Sequence, residues 1–150
     1  MSEQTPGPSA GPAERRFTAP VEKLFADLEA SGALPSRMPA ARAASAVLCV
    51  LSSQLGREQA RRAAESLPGA VRPLWQQCRL HQGREREGAD RQAFVRKVAE
   101  HLEVSFEEAE ALARAVFASL RPHLSRWEAG RLADDLERDL AELWQSPGAP

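Results

Sequence analysis

The sequence has few of the residues that usually build reactive sites. Its 150 residues include two cysteines, three histidines and no tyrosine. Cys49 and Cys78 belong to no C-x-x-C pair, and the histidines His81, His101 and His123 stand apart from one another. Zinc needs three or four Cys, His or carboxylate ligands with local pairing, so this pattern argues against a zinc motif. Neither a phosphate-binding glycine loop nor an inward-facing Glu-x-x-His pair occurs. We therefore expect no catalytic residue, no metal and no cofactor.

Long apolar runs are also missing. No stretch approaches the roughly 18 apolar residues of a membrane-spanning helix, and the N-terminus MSEQTPGPSAGPAERR lacks the apolar core of a secretory signal. Together with the low cysteine content, these features predict a reduced, cytoplasmic setting and no membrane association. The net charge of −1 gives no overall attraction to nucleic acid or membrane.

What the sequence does contain is an internal repeat. Residues 40–77 can be laid on residues 109–146 without a gap, and 14 of the 38 positions are then identical, including a Leu-Trp-Gln tripeptide near the C-terminal end of each copy. In both copies apolar residues recur at i, i+3, i+4 and i+7, the spacing of one helix face. The first stripe is Ala44, Val47, Leu48, Leu51 and Leu55, and the second is Ala113, Val116, Phe117, Leu120 and Leu124. The pattern predicts two helices that occur twice in the same order. Leu51 and Leu120, at the centres of the matched stripes, should be buried, as should Val47 and Val116.

Helix boundaries are marked by capping residues and prolines. Ser105 and Ser125 each stand three residues before a glutamate, the spacing of a capping box, and Asp90 is a further candidate N-cap. Pro122 should end the long helix of the second copy. Pro68-Gly69 separates helix 57–67 from a short helix carrying Leu74 and Trp75. The second copy has Glu137-Arg138 there, so its two helices could run together.

The predicted fold is all-α, with seven or eight helices in two pseudo-symmetric multi-helix repeats packed as one compact helical bundle. The predicted boundaries are a disordered tail 1–16, helical repeat 1 over 17–78, a linker 79–89, helical repeat 2 over 90–146, and a frayed tail 147–150.

This layout resembles the bacterial family catalogued as domain of unknown function 2267, whose helical unit is often present twice. The matching segments are FVRKVAEHL (94–102), AVLCVLSSQL (46–55), AVFASLRPHL (115–124), AESLPGAVRPLW (64–75) and ADDLERDLAELW (133–144). They cover about residues 20–145 and are packing motifs. The resemblance implies a fold and no catalytic residues. One departure is Leu136-Glu137, where the family tends to place Leu-Pro.

Charge is distributed unevenly along the chain. Residues 57–97 carry ten basic and five acidic side chains, whereas residues 98–150 carry five basic and eleven acidic ones. One interpretation is that these are ordinary solvated helix faces. The other is that the basic middle binds phosphates or an acidic partner, with Arg57, Arg61, Arg62 and Arg84 as the candidate residues.

The three tryptophans fall into two groups. Trp75 and Trp144 occupy the same position of the two repeats after a leucine, which is typical of core packing. Trp127 instead matches Glu58 of the first copy. A position that holds a carboxylate in one copy should not be deep core in the other, so Trp127 is a candidate exposed partner-binding residue.

By elimination, the sequence favours a non-enzymatic adaptor or accessory regulator that binds an unidentified protein partner, with a homodimer left open. The alternative is a nucleic-acid-associated protein that uses the basic region 57–97. A third hypothesis is an enzyme or small-ligand binder with a groove between the repeats. Duplex binding is disfavoured by the neighbouring acidic repeat and by the lack of side chains placed to contact base edges.

Overall fold

The computed structural model describes residues 19–55, 57–67 and 90–146. Within these ranges the protein is all-α, as predicted, with no β-strand. The helices are α1 (Ala19–Ala30), α2 (Ala40–Ser53), α3 (Arg57–Ser66), α4 (Arg91–Leu102), α5 (Phe106–Leu120), a 3₁₀ turn (Arg121–His123), α6 (Arg126–Asp134) and α7 (Arg138–Gln145). None of the described helices is long and apolar enough to cross a membrane.

Helices α2 and α5 form the centre of the core. Helix α2 contacts α1, α4 and α5, and α5 also contacts α7. The residues predicted at the centres of the matched stripes, Leu51 and Leu120, are completely buried, as are Val47 and Val116. These core predictions are confirmed. Aromatic packing around Phe117 extends the core. The centre of its ring lies 5.8 Å from the ring centre of Phe94 and 5.1 Å from that of Trp144.

The sequence predicted one apolar stripe on α2, but the buried part of this helix is wider than that stripe. Every residue from Ala46 to Ser53 is buried, because three other helices surround α2. The polar residues at its end satisfy their hydrogen bonds locally. The Ser52 hydroxyl donates to the Cys49 carbonyl at 2.8 Å, and the Ser53 hydroxyl donates to the Val50 carbonyl at 2.6 Å.

The predicted helix starts are confirmed. Asp90 accepts a hydrogen bond from the backbone N–H of Ala93, and Ser105 and Ser125 both form complete capping boxes. Helix α5 ends at Leu120, and Pro122 lies in the 3₁₀ turn that follows. These signals fix where α4, α5 and α6 begin and where α5 ends.

The idea that the last two helices could run together is wrong. Helix α6 ends at Asp134, and Glu137 adopts extended backbone angles, φ −56° and ψ 148°, before α7 begins. This bend returns the chain to the core, where Leu140 and Trp144 of α7 are completely buried. Burial of that apolar face outweighs the helical preference of the connecting residues.

Besides the contacts within each half, α1 with α2 and α4 with α5, helices of one half also pack on helices of the other. Helix α1 packs on α5 and α4 packs on α2, while α2 contacts α5 and α3 contacts α6. A two-fold relation between repeats would produce this pattern, and the pseudo-symmetry itself stays a prediction. The predicted tails 1–16 and 147–150, the linker 79–89 and the short helix at Leu74 and Trp75 lie outside the described residues.

Candidate interaction surface on helix α6

Helix α6 is attached to the core along one side. Leu132 and Ala133 are its buried residues. On the core side of α6, the indole N–H of the buried Trp144 donates to the carbonyl of Ala129 at 3.0 Å. Its first turn is closed by Ser125, whose side chain accepts from the backbone N–H of Glu128 at 3.0 Å. These attachments hold the helix while its outer side stays open to solvent.

Trp127 lies on that outer side and is 68% exposed. The only other large hydrophobic residue exposed in the described part of the chain is Phe106, at 38%. The guanidinium carbon of Arg131, one helical turn later, lies 5.0 Å from the centre of the Trp127 ring. This stacking is a cation–π contact, and it orients the indole without burying it. The expectation that Trp127 is exposed is confirmed.

A cleft separates α6 from α3 beside this tryptophan. Its volume is about 380 Å³ when counted out to open solvent. Its lining consists of the apolar residues Ala63, Leu67, Leu124 and Leu132 and the charged residues Arg62, Glu128, Arg131 and Asp135. Both of its carboxylates are engaged. Glu128 accepts from the Ser125 backbone N–H at 3.0 Å. Asp135 accepts from the Gln59 amide at 3.2 Å and lies 3.8 Å from Arg62.

The arginines predicted as a basic surface are mostly paired with carboxylates where the structure describes them. Arg61 is exposed and forms ion pairs with Glu58 and, at 2.6 Å, with Glu65. Its hydrogen bond and its charge both lower the pKa of Glu58 below the ordinary value. Farther along the chain, Arg91 binds Glu110 at 2.5 Å.

The structure shows the positions of only some of the predicted site residues. Arg62 lines the α3–α6 cleft, and Trp127 is linked to that cleft through Arg131, which lines it and also stacks on the indole. Of Arg57 the structure describes only the backbone, at the start of α3, and Arg84 lies outside the described residues. Arg131 thus connects the two candidate surfaces, the arginines of α3 and Trp127, that the sequence presented as alternatives.

Sequence reasoning missed the residues that surround Trp127. On a helix, positions three, four and seven residues away share one face, and from Trp127 these are Gly130, Arg131 and Asp134. We call these four residues the Trp127 surface. The spacing was visible in the sequence, but exposure of the face could not be established until the opposite side of α6 was shown to carry Leu132 and Ala133.

Comparison with known proteins identifies a family and no close curated relative. No curated protein matches the chain. A family model described as "Uncharacterized conserved protein (DUF2267)" matches residues 22–143, a span that runs from α1 to α7 and includes the Trp127 surface. The resemblance noted from the packing motifs is thereby confirmed, and the chain belongs to the DUF2267 family.

Proposed function

We propose that this protein is a non-enzymatic protein-interaction module, an adaptor or accessory regulator, that binds its partner through the Trp127 surface. The observation that carries the proposal is the 68% exposure of Trp127 on a helix attached to the core from its other side. Tryptophan, with tyrosine and arginine, is enriched among the interface residues that dominate binding energy. An indole held in one orientation by Arg131 loses less conformational entropy when a partner covers it.

The size of the expected effect follows from the area that a partner could cover. A tryptophan side chain buries about 150–250 Å² in a well-packed contact. At about 25 cal/mol per Å² of apolar surface, covering its exposed part stabilises a complex by roughly 2–4 kcal/mol. Truncating Trp127 should therefore weaken binding by at least about thirtyfold, since each 1.4 kcal/mol is a factor of ten.

Nucleic-acid binding remains the alternative, but no contact in the described residues favours it. A phosphate would have to compete with Glu58 and Glu65 for Arg61, and with Asp135 for Arg62. The cleft between α3 and α6 is a second place where a small ligand could bind. There the charged rim is already occupied by internal hydrogen bonds.

The test is a crosslinking pull-down from the native host with four forms of the protein. These are wild type, Trp127→Ala, the matched exposed-aromatic control Phe106→Ala, and an Arg57/Arg61/Arg62→Gln variant. Glutamine removes the charges without adding like charges beside Glu58. Each form is used at about 0.1 M and about 1 M salt, where the screening length falls from about 10 Å to about 3 Å.

Recovery of a protein that persists at high salt, is lost with Trp127→Ala and is retained with Phe106→Ala supports the proposal. Loss with the arginine variant and at high salt, with nucleic acid in the eluate, supports the alternative instead. If Trp127→Ala recovers the same proteins as wild type, the Trp127 surface is an ordinary solvent face and the proposal is wrong.

A further inference from the structure

The outer face of α3 shows how a solvated face of this protein is built. Glu58, Arg61 and Glu65 lie three and four residues apart on that face. The Arg61 guanidinium pairs with both carboxylates, and all three side chains are more than half exposed. The charges of this face are therefore satisfied within a single helix. Such a face needs no partner.

The matching positions of α6 are different. The ungapped alignment sets Trp127, Gly130 and Asp134 against the three ion-paired residues of α3. Trp127 and Asp134 are exposed, and so is Arg126 at the start of the helix. Within the part of the chain that the structure describes, neither Asp134 nor Arg126 forms an ion pair with another side chain. The α6 face is left without the internal charge compensation that α3 has.

Gly130 is the middle residue of α6 and has no structural reason within the described chain to be glycine. A Cβ added there would meet nothing within 4 Å, and the residue does not have a positive φ. Glycine in the middle of a helix lowers helix stability relative to alanine. What glycine does offer is a place where a second backbone can come close, and it lies on the exposed side next to Trp127.

The first and last residues of α6 carry charges that oppose the helix dipole, whereas Glu128 in its first turn and Arg131 in its last turn follow the dipole. The N-terminus of a helix favours negative side chains and the C-terminus favours positive ones. Here Arg126 is the first residue of α6 and Asp134 is the last. Both placements are unfavourable in the isolated helix. They become favourable if each charge meets its opposite on another molecule.

These observations describe a surface that is complementary to itself. Arg126 lies four residues before Gly130 and Asp134 lies four residues after it. A two-fold axis through Gly130 that sets α6 antiparallel to a second α6 would bring each Arg126 opposite the other copy's Asp134. It would also place each indole about one turn from the crossing point, beside Asp134 of the other helix, while the two glycines let the backbones approach closely.

We propose that a second copy of this chain docks on the Trp127 surface, with the two α6 helices antiparallel and crossing at Gly130. Because it names the partner of that surface, the inference rests on the proposed function. A nine-residue helix offers a small contact area, so the dimer should be weak and in equilibrium with monomer. Symmetric two-fold pairing of one patch with itself is the commonest form of protein self-association.

The experiment measures self-association of the full chain by sedimentation equilibrium between about 10 µM and about 1 mM, a range that covers weak complexes. The variants are Trp127→Ala, Arg126→Glu and Asp134→Arg. We expect wild type to dimerise and each variant alone to dissociate at least about tenfold more readily, because like charges then face each other or the indole is gone. An equimolar mixture of Arg126→Glu and Asp134→Arg should dimerise again, since both cross-pairs then join opposite charges.

Folding and position are controlled separately. Arg126→Glu and Asp134→Arg each install the sign that the helix dipole favours, so both variants should remain at least as helical as wild type by circular dichroism. The matched control is the pair Arg96→Glu and Glu100→Arg, which reverses two exposed charges four residues apart on α4. Neither control variant should change self-association.

Three results would overturn the inference. The first is a wild type that stays monomeric at about 1 mM, a concentration that corresponds to only about 4 kcal/mol of binding free energy. The second is a dimer whose dissociation constant Trp127→Ala leaves unchanged. The third is a mixture of Arg126→Glu and Asp134→Arg that stays monomeric. The proposed function fails by a different measurement, namely a pull-down that Trp127→Ala does not alter.

Discussion

The substitution Trp144→Ala tests whether the indole of α7 holds helix α6 in place. The side chain is completely buried, packs edge-on against Phe117 with ring centres 5.1 Å apart, and donates a hydrogen bond to Ala129 of α6. Removing a buried tryptophan costs about 3–5 kcal/mol, since transfer energy is lost and a cavity remains. That is a large part of a total stability of about 5–15 kcal/mol.

Two further variants separate the contributions. Trp144→Phe keeps an aromatic ring near Phe117 but removes the donor to the Ala129 carbonyl, so we expect a loss of about 1–2 kcal/mol. Trp127→Ala serves as the matched control, because it removes the same side chain from an exposed position of the same protein. It forfeits a cation–π contact with Arg131 worth about 0.5–1 kcal/mol and no core packing.

Urea denaturation followed by far-UV circular dichroism measures all three variants, with wild type as reference. Helicity is the appropriate signal because tryptophan fluorescence changes with the substitution itself. The slope of the transition should stay constant if only stability changes. The reasoning would be refuted if Trp144→Ala lost no more stability than Trp127→Ala.

Three other measurements check the core, the caps and the ion pairs. Leu51→Ala and Leu120→Ala should each cost about 2–5 kcal/mol by chemical denaturation, and a loss below about 1 kcal/mol at both sites would contradict the packed faces. Ser105→Ala and Ser125→Ala should each lower the free energy of unfolding by about 1 kcal/mol, because both remove half of a capping box. A thermal unfolding midpoint equal to that of wild type would contradict this. Glu58 has a pKa below its ordinary value, so its ion pair with Arg61 persists at neutral pH and is lost as the pH falls through that lowered pKa. In an NMR titration Arg61→Ala should raise the Glu58 pKa, and an unchanged value would exclude Arg61 as the cause.

The sequence predicted the helical core well because its signals are local. A capping box needs only a serine and a glutamate three residues apart, and both boxes are present at Ser105 and Ser125. Buried stripes were predictable for a related reason. Where both copies of a repeat keep a leucine, as at Leu51 and Leu120, the position packs inward in both.

Two features could not be predicted because they depend on distant parts of the chain. The burial of the polar residues Ser52 and Ser53 at the end of α2 depends on the three other helices that surround it, which the apolar spacing within α2 cannot show. The bend at Glu137 is similar. Its sequence favours a continuous helix, yet the chain turns there so that α7 can bury Trp144.

The candidate site was partly predictable for the same reason as the core. Comparing copies isolates Trp127, because a tryptophan replaces a carboxylate at a position where the other helix, α3, has an ion-paired solvent face. The comparison could not rank the arginines, since their role depends on which carboxylates lie within reach. Only the folded chain shows that Arg61 is paired and that Arg131 stacks on the indole.

The divergence between the two copies also explains why the proposed partner surface lies on α6 instead of α3. Both helices contact each other, but α6 is additionally tied to α7 by the hydrogen bond from Trp144. A helix that is attached to the core on its inner side can carry an exposed tryptophan and a central glycine, because its stability does not depend on its outer face. Helix α3 retains the ion-paired face that isolated helices use to remain soluble and helical. The outer face of α6 is thus the one that can change in response to a partner while the core is preserved.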